Sequence, residues 1–251
     1  MYIPKTVLIT GATGGFGVEF AKAFEGAGTS KIYLHGRNLE KLQLLAKELA
    51  CDVELIHCDL LDEDAIEDAF SDIEAVDLLI NNAGGAIGLE KADDSDWDDW
   101  TKMLQINVGS LMQITNIMLP KMVEAGRGHI INIGSVAGNW PYPGGHIYCA
   151  SKAFVKQFSL AMRPDLLGKN VRVTNIEPGA VETEFSLKRF KGDKEKADQV
   201  YRNWRALQAK DIADTVLFVG TLPEHVNITS LEVMSTDQAN GPFIYHKEGN
   251  S

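Results

Sequence analysis

A serine, a tyrosine and a lysine in the middle of this 251-residue sequence have the types and spacing for proton transfer. Tyr148 and Lys152 are four residues apart, so on a helix their side chains project from the same face. A free tyrosine titrates near ~10, and a neighbouring ammonium favours its phenolate form. Ser135 follows the apolar run 129–133 and is expected at the end of a strand, where open α/β sheets bind ligands. Because tyrosine–lysine pairs also occur by chance, their meaning depends on the rest of the chain.

A glycine-rich loop lies near the start of the chain. It is preceded by the apolar run 5–10, typical of a buried parallel strand, and followed by a helical pattern at 18–24. Its Gly11, Gly15 and Gly17 follow the spacing G-x-x-x-G-x-G. In the order strand, glycine loop and helix, the backbone can approach a pyrophosphate at the helix N-terminus. The loop predicts a dinucleotide site, and a purely structural turn is the alternative.

The residues after the second expected strand, 31–35, indicate which dinucleotide binds. An NAD site usually has Asp or Glu at this place to bind the ribose hydroxyls. This chain has Arg37 and Asn38 instead. A guanidinium suits a 2′-phosphate because its planar fork matches the phosphate oxygens. The sequence therefore predicts NADP(H) rather than NAD(H), and a surface arginine at a helix start is the alternative.

Strand-like runs alternate with helical patterns along the chain. This alternation predicts an α/β fold with a doubly wound, Rossmann-type parallel sheet of about seven strands and helices on both faces. Because the candidate residues are spread through the sequence as parts of one site, residues 1–251 are expected to form a single dinucleotide-binding and catalytic domain. The expected strands are 5–10, 31–35, 53–58, 77–81, 129–133, 171–176 and 230–234.

In their order, these motifs resemble those of the short-chain dehydrogenase/reductase family. The resemblance covers nearly the whole chain, and the order and spacing of the motifs are more specific than any one of them. Within the family, the stretches 129–145, 151–160, 184–193 and 222–228 look most like NADP-dependent 3-hydroxy acid dehydrogenases and the related sulfoacetaldehyde reductases. The family motifs are T-G-A-T-G-G-F-G at 10–17, Asp59-Leu60, N-N-A-G at 81–84, Asn107, Ser135, Y-C-A-S-K at 148–152 and P-G-A-V-E-T at 178–183.

The resemblance implies reversible hydride transfer between NADP(H) and a carbonyl carbon. Tyr148 would then be the acid in reduction and the base in oxidation, and Lys152 would lower the Tyr148 pKa and bind the nicotinamide ribose. Ser135 would hold the carbonyl oxygen and stabilise its charge. Asn107 matches the fourth member of the family's active site, where it would hold a water that links Lys152 to solvent. Without the resemblance, Asn107 would be interpreted as a packing residue.

The same resemblance implies which residues contact the cofactor. Asp59 and Leu60 are expected at the adenine, and the loop 178–183 at the nicotinamide. The complete predicted set is Gly11, Thr13, Gly15, Phe16, Gly17, Arg37, Asn38, Asp59, Leu60, Asn82, Ala83, Gly84, Tyr148, Lys152, Pro178, Gly179, Val181 and Thr183.

The irregular, charged segment at about 184–205 follows the expected nicotinamide loop. By resemblance it is a substrate-binding lid, and a solvated excursion is the alternative. A carboxylate or sulfonate substrate needs a cationic partner, for which Arg189 is the first candidate and Arg202 the second. For both arginines the alternative is a surface position, which is the more common fate of an arginine. For the aromatic side chains of Trp140 and Tyr142, packing within their own loop is an equal alternative. The rest of the pocket is expected to consist of Ser135, Asn139, Trp140 and Tyr142.

Composition limits the partners of the chain. The formal net charge of −11 and the lack of a basic patch argue against nucleic acid. No apolar run approaches the ~18–20 residues of a membrane span, and no signal-peptide pattern is present, so a cytoplasmic location is expected. The three cysteines lack metal-ligand spacing, which favours free thiols and no metal site. The family implies a homotetramer that pairs helices near 97–125 and 149–167, with the tail 237–251 reaching a neighbouring subunit.

Four functions remain in competition. The leading one is an NADP-dependent oxidoreductase of small 3-hydroxy acids and semialdehydes, such as serine, 3-hydroxypropionate or 3-hydroxyisobutyrate. Reduction of sulfoacetaldehyde to isethionate is a close alternative because a sulfonate carries the same charge as a carboxylate. A non-catalytic NADP-binding sensor is disfavoured because it would not need the complete catalytic set. A reductase of apolar carbonyls or steroids fits a cationic lid poorly.

Overall fold

A seven-stranded parallel sheet forms the centre of the protein, whose structure is a computed structural model that describes residues 2–240. The strands are β1 (Thr6–Ile9), β2 (Lys31–Gly36), β3 (Asp52–His57), β4 (Leu78–Asn81), β5 (Gly128–Ile133), β6 (Val171–Pro178), β7 (Val181–Glu182), β8 (Leu207–Gln208) and β9 (Ser230–Val233). The sheet order is β3-β2-β1-β4-β5-β6-β9, and β7 and β8 form a separate two-stranded pair. All the pairings are parallel, which confirms the predicted sheet.

Nine α-helices lie within residues 2–240, most of them connecting one strand of the sheet to the next. Side chains cap several of their N-termini: Asn38 accepts from the Lys41 N–H, and Asp62 from the Ala65 N–H. A π-helical turn, Gln105–Gly109, joins the fourth helix to the fifth. The helices are α1 (Gly15–Gly26), α2 (Leu39–Glu48), α3 (Glu63–Phe70), α4 (Trp97–Leu104), α5 (Ser110–Glu124), α6 (His146–Asp165), α7 (Glu184–Arg189), α8 (Lys194–Val200) and α9 (Ala209–Gly220).

Two hydrophobic cores lie on opposite faces of the sheet. Alternate residues of one strand enter different cores: Leu78 and Ile80 of β4 lie in the first and Leu79 in the second. The first core contains residues of α1, α2 and α9, and the second contains residues of α3 and α5. Helices therefore cover both faces, as the doubly wound prediction requires. This double coverage explains why β1, β4, β5 and β6 are almost entirely buried.

The strand order reverses between β1 and β4, the two strands at the middle of the sheet. The connections that leave these strands run in opposite directions, which opens a crevice at their carboxyl ends. Thr10 and Asn82 tie the two sides together there: the Asn82 N–H donates to Thr10 Oγ1 at 3.0 Å, and Asn82 Nδ2 donates to the Thr10 carbonyl at 2.8 Å. The glycine loop after β1 and the segment after β4 consequently meet at this point.

Within residues 2–240, no helix is long and apolar enough to cross a membrane. The three cysteines are free thiols, as expected; Cys58 and Cys149 are buried. The expected intersubunit role of the tail 237–251 falls mainly outside the described residues.

Candidate active site

A cavity of about 700 Å³ runs along the carboxyl ends of the central strands and continues beneath α7. It lies across the reversal point between β1 and β4, where doubly wound sheets bind ligands. All but four of the predicted site residues line it; Gly17, Asn107, Asn139 and Arg202 do not. The predicted residues on its wall are Gly11, Thr13, Gly15, Phe16, Arg37, Asn38, Asp59, Leu60, Asn82, Ala83, Gly84, Ser135, Trp140, Tyr142, Tyr148, Lys152, Pro178, Gly179, Val181, Thr183 and Arg189.

The glycine loop brings backbone amides to one side of the cavity. Gly11 has a φ of +65°, a conformation that favours glycine, and a Cβ there would lie 3.0 Å from the Ala83 Cα. Gly17 is buried and packs against the loop: a Cβ on it would lie 2.5 Å from the Gly11 carbonyl oxygen. Gly17 thus allows close helix packing and does not itself line the cavity. No side chain caps the start of α1, whose free amides can hold a pyrophosphate.

Sequence reasoning missed a histidine behind the glycine loop. The Gly11 N–H donates to Nδ1 of His35 at 3.2 Å, and His35 Nε2 lies 3.4 Å from the Cys58 carbonyl oxygen. Burial lowers the pKa of His35 to about 4, so the imidazole is neutral at pH 7 and can accept the Gly11 hydrogen bond. Its position in β2 could be predicted, but its bond to Gly11 depends on the pairing of β1 with β2.

The far end of the cavity is cationic. Arg37 and Lys41 both line it, and Asn38 lies between them in the chain as the N-cap of α2. Arg37 Nη1 is 3.9 Å from Asp59 Oδ2, and both side chains are about half exposed. This loose pair leaves the guanidinium accessible to an anion. Lys41 was not predicted, although its position one helical turn after Arg37 was a usable signal.

Tyr148 and Lys152 lie together on the opposite wall of the cavity, near the start of α6. Lys152 Nζ donates to the Ile133 carbonyl at 2.7 Å and lies 5.8 Å from the centroid of the Tyr148 ring. Both side chains are buried. Ser135 lies two residues beyond the end of β5, and its Oγ accepts from the Ala137 N–H at 3.1 Å, which fixes the hydroxyl at the cavity wall.

Burial controls the ionisation of this pair. It lowers the pKa of Lys152 to about 8. It raises the pKa of Tyr148, an effect that the Ser135 hydroxyl and the charge of Arg189 only partly oppose. The expectation that the Tyr148 pKa is lowered is therefore wrong for the chain by itself, because loss of water disfavours the phenolate more than its neighbours stabilise it.

Asn107 lies one layer behind the cavity, in the π-helical turn. Its Oδ1 accepts from the Gly85 N–H at 2.8 Å, and its Nδ2 donates to the Gly85 carbonyl at 2.9 Å and to Ser151 Oγ at 3.0 Å. A Cβ on Gly84 would lie 2.8 Å from Asn107 Oδ1 and 3.4 Å from Lys152 Nζ, so Asn107 is close to the lysine. Its side chain joins the segment after β4 to α6. The role in holding a water stays a prediction.

The loop 178–183, predicted to contact the nicotinamide, is held by a residue from the end of the described chain. Gln238 lines the cavity, and its Oε1 accepts from the Ala180 N–H at 2.9 Å. A Cβ on Gly179 would overlap the Gln238 side-chain oxygen, so a larger residue there would displace Gln238 from its present position. Sequence reasoning missed Gln238, because nothing local links it to a loop almost 60 residues earlier.

Aromatic rings and one buried cation form the inner part of the cavity. The Arg189 guanidinium carbon lies 4.6 Å from the Tyr142 ring centroid. Phe185, which was not predicted, lies 5.6 Å from Tyr148 between ring centroids. The lid segment thus contributes α7 to the wall of the site, as its interpretation as a substrate loop requires, and it places Arg189 beside the tyrosine–lysine pair.

Two predicted substrate residues do not line the cavity. The Asn139 amide points into a polar cluster: it donates to Glu177 and to Glu232 and accepts from Lys156 Nζ at 2.9 Å. The Asn139 side chain thus anchors its loop. Arg202 follows α8 and is exposed, while its neighbour Trp204 is buried. The second candidate for the anion-binding cation is therefore outside the pocket.

The fold and the site together define a class of enzyme, the dinucleotide-dependent oxidoreductases. A long cavity with a glycine loop at its centre and a cationic far end fits a dinucleotide with an additional phosphate. A buried tyrosine, lysine and serine meet at the other end, where a carbonyl can be polarised and protonated.

Comparison with known proteins identifies the family. Residues 5–194 match the family described as short chain dehydrogenase, and the chain belongs to this family. It is 48% identical over 246 residues to the NADP-dependent 3-hydroxy acid dehydrogenase YdfG of Salmonella typhi, covering 96% of this chain and 99% of the relative. It is 47% identical over 244 residues to a sulfoacetaldehyde reductase of Chromohalobacter salexigens, covering 94% and 96%.

A solved structure is similar in both sequence and shape. The closed form of a serine dehydrogenase complexed with NADP+ superposes with a TM-score of 0.90 at 47% identity, covering 93% of this chain and 96% of the other. The serine dehydrogenase of Escherichia coli has a TM-score of 0.80 at 42% identity. These similarities confirm the predicted fold class and family.

Proposed function

We propose that this protein is an NADP-dependent oxidoreductase that interconverts a small 3-hydroxy acid and its semialdehyde. The observation that carries the proposal is the position of Arg189, a buried cation on the wall of the same cavity as Ser135, Tyr148 and Lys152. A cation at this place can bind the acidic end of a short substrate while its carbonyl lies at the tyrosine. The YdfG relatives are named as 3-hydroxy acid dehydrogenases, which supports the same assignment.

The cofactor end of the cavity favours NADP(H). Arg37 and Lys41 provide two cations beside the ribose position, and the residues that follow β2 include no carboxylate in the place that an NAD site uses. Relatives named as NADP-dependent and a structural neighbour in complex with NADP+ support this assignment. When bound, the reduced cofactor would supply the hydride.

The residues of this chain would perform the remaining steps. Ser135 Oγ would donate a hydrogen bond to the carbonyl oxygen and hold it against the tyrosine. The Tyr148 hydroxyl, which burial keeps protonated, would give its proton to the oxygen as negative charge develops there. The Lys152 ammonium would then stabilise the phenolate that remains.

The lid would select the substrate by charge and length. Arg189 would bind a carboxylate, and its guanidinium fork matches two carboxylate oxygens. The rings of Tyr142 and Phe185 close the cavity around it and limit the chain between the acid and the carbonyl. The same cation would accept a sulfonate, so sulfoacetaldehyde is the second candidate substrate, favoured by the 47% identity to a sulfoacetaldehyde reductase.

Oxidation of NADPH in the presence of four carbonyl compounds tests the proposal. Malonic semialdehyde, sulfoacetaldehyde, succinic semialdehyde and an uncharged ketone of similar length would be compared by kcat/KM. We expect a preference of at least ~10-fold for an acid over the ketone, the size of one charge-assisted hydrogen bond. Equal turnover of the ketone would contradict a role for Arg189 in substrate choice, and no turnover of any compound would contradict the function.

We also propose a homotetramer and a cytoplasmic location. Large apolar side chains are exposed on the helices expected to pair, among them Trp97 of α4, Met112 of α5 and Phe154 of α6. The three free thiols suit a reducing compartment. Light scattering tests the assembly: a mass four times that of the 27.5 kDa chain is expected, and a monomer would contradict it.

A further inference from the structure

The end of α7 is bound to the body of the protein by contacts that the proposed chemistry does not use. Lys191, two residues after the helix ends, has its Nζ 3.0 Å from Asp99 Oδ2 and 3.1 Å from Glu90 Oε1. Asp99 belongs to α4, and Glu90 to the segment after β4. The Gly88 N–H also donates to the Arg189 carbonyl at 2.9 Å. Residues 189 and 191 of the lid are therefore held by residues 88 and 90 and by Asp99.

The body side of this contact is shaped to receive the lysine. Gly88 has a φ of +72°, and a Cβ on it would overlap the Glu90 carboxylate. The carboxylate thus folds back over Gly88 toward the lid, a position that a larger residue would prevent. Side-chain hydrogen bonds to Asp99 and Glu90 raise the pKa of Lys191, so its ammonium stays charged at any pH at which the enzyme would work.

The backbone at Lys191 provides an independent observation. Its φ of +51° lies in the left-handed region, and the next N–H, that of Gly192, donates to the Leu187 carbonyl at 2.8 Å. This is a helix ending whose left-handed position usually carries glycine, because a Cβ is strained there. A lysine therefore occupies a place where the backbone alone would favour glycine, and its side chain forms the bridge to two carboxylates.

We propose that Lys191 is a positioning residue, whose ion pairs with Glu90 and Asp99 hold the lid against the body and fix Arg189 over the substrate pocket. The link to catalysis rests on the proposed function, in which Arg189 binds the acidic end of the substrate. The side chains of Lys191, Glu90 and Asp99 are 51%, 40% and 22% exposed, so water and salt reach the bridge. The contact is consequently weak enough to break when the lid opens for substrate exchange.

Removal of the side chain at Lys191 is the first test. Lys191→Gly suits the left-handed backbone, so it should fold with an unchanged or higher Tm. We expect its KM for the acidic aldehyde to rise about fivefold, the scale of partly exposed ion pairs, with kcat changed less than about twofold. The matched control is Lys196→Met, which breaks an ion pair to Asp193 inside the lid and should leave KM unchanged.

Exchange of charges is the second test. Lys191→Glu places three carboxylates together and should raise KM further than Lys191→Gly. Adding Asp99→Lys restores one cation between two carboxylates, and KM should return to within about threefold of the wild-type value if charge pairing is what matters. A double variant no better than Lys191→Glu would contradict the proposed bridge.

Proteolysis tests the bridge without any substrate. Chymotrypsin cleaves after residues such as Leu187 and Phe190 of the lid, and Glu90→Gln with Asp99→Asn leaves the lid sequence unchanged. This double variant should be cleaved in the lid several times faster than the wild type, and high salt should speed cleavage of the wild type only. Failure to turn over any acidic aldehyde would refute the proposed function while this measurement still reports on the bridge. Unchanged lid cleavage in the double variant would overturn the proposal for Lys191.

Discussion

The guanidinium of Arg189 lies over the ring of Tyr142, with its carbon 4.6 Å from the ring centroid. Arg189 comes from the lid and Tyr142 from the loop after β5, so the contact joins the two sides of the inner pocket. Burial raises the pKa of Tyr142, which keeps the ring neutral and able to attract the cation through its face. The contact presents the arginine as a fixed cation rather than as a mobile surface charge.

Arg189→Ala should weaken binding of an acidic substrate specifically. Loss of a charge-assisted hydrogen bond costs ~1.5–3 kcal/mol, so KM for malonic semialdehyde or sulfoacetaldehyde should rise about 10- to 100-fold. The matched control is Arg202→Ala, which removes an exposed arginine outside the cavity and should leave KM within about twofold. An unchanged KM in Arg189→Ala would remove this arginine from the site.

Tyr148→Phe should abolish most of the turnover and leave the cofactor site intact. Removing the proton donor should lower kcat by at least ~10²-fold, the low end for general acid catalysis. NADPH fluorescence measures binding separately, and its Kd should change less than about threefold because the ring and its packing are kept. Near-normal kcat would refute the assignment of Tyr148 as the acid.

Arg37→Ala should change the choice of cofactor. The variant loses the cation beside the 2′-phosphate, so KM for NADPH should rise by about tenfold or more while KM for NADH stays the same. Lys41→Ala should act in the same direction with a smaller effect. Steady-state kinetics with both cofactors measure this, and an equal rise for NADH and NADPH would indicate a general structural defect instead.

The alkaline side of the pH profile should report Lys152. Burial lowers its pKa to about 8, and the charged form is the one that would stabilise the phenolate and bind ribose hydroxyls. As pH rises through about 8, the ammonium is lost, so kcat/KM for NADPH in the reductive direction should be level below this pH and fall above it. A profile that stays level up to pH 10 would contradict the need for a charged Lys152.

Lys156→Met should destabilise the fold rather than alter the chemistry. Lys156 Nζ lies 3.1 Å from Oε1 of the buried Glu177, which also accepts from Asn175 and Ser230. Without the lysine, a buried carboxylate loses its cation, and we expect the free energy of unfolding to fall by about 2 kcal/mol. Urea denaturation at a fixed protein concentration measures this.

A surface pair provides the control for Lys156. Lys210→Met removes an exposed contact with Asp214 one helical turn away and should leave the urea midpoint nearly unchanged, because water screens this pair. An equal fall in the free energy of unfolding in the two variants would mean that burial of Glu177 adds nothing to the strength of its ion pair.

Local patterns predicted the sheet and most of the site. The strand-like runs identified all seven strands of the main sheet. β1 and β4 are buried on both faces and therefore apolar along nearly their whole length, whereas the edge strand β3 alternates exposed and less exposed residues. The spacing of Tyr148 and Lys152 predicted their common location, since a helix fixes which side chains share a face. The two-residue strands β7 and β8 were missed because they are too short to show any period.

Contacts between distant residues could not be predicted. The sequence predicts Asn139 in the pocket, but its amide binds Glu177 and Glu232, which are 38 and 93 residues away. His35 was missed because its partner Gly11 lies 24 residues away, in the loop that follows the neighbouring strand β1. The pKa of Tyr148 was assigned the wrong direction because the sequence shows which charges are near but not how completely water is excluded.

The pairing of β1 with β4 has a consequence for how the enzyme is made. Thr10 and Asn82, which join the glycine loop to the segment after β4, are separated by 72 residues in the chain. Closing so long a loop is entropically costly, and sheets built from such distant pairings fold slowly. A nascent chain that ends before β4 can pair its first three strands, yet it lacks one whole wall of the cofactor cavity. Ligand binding should therefore be acquired late in folding, after the middle of the sheet has closed.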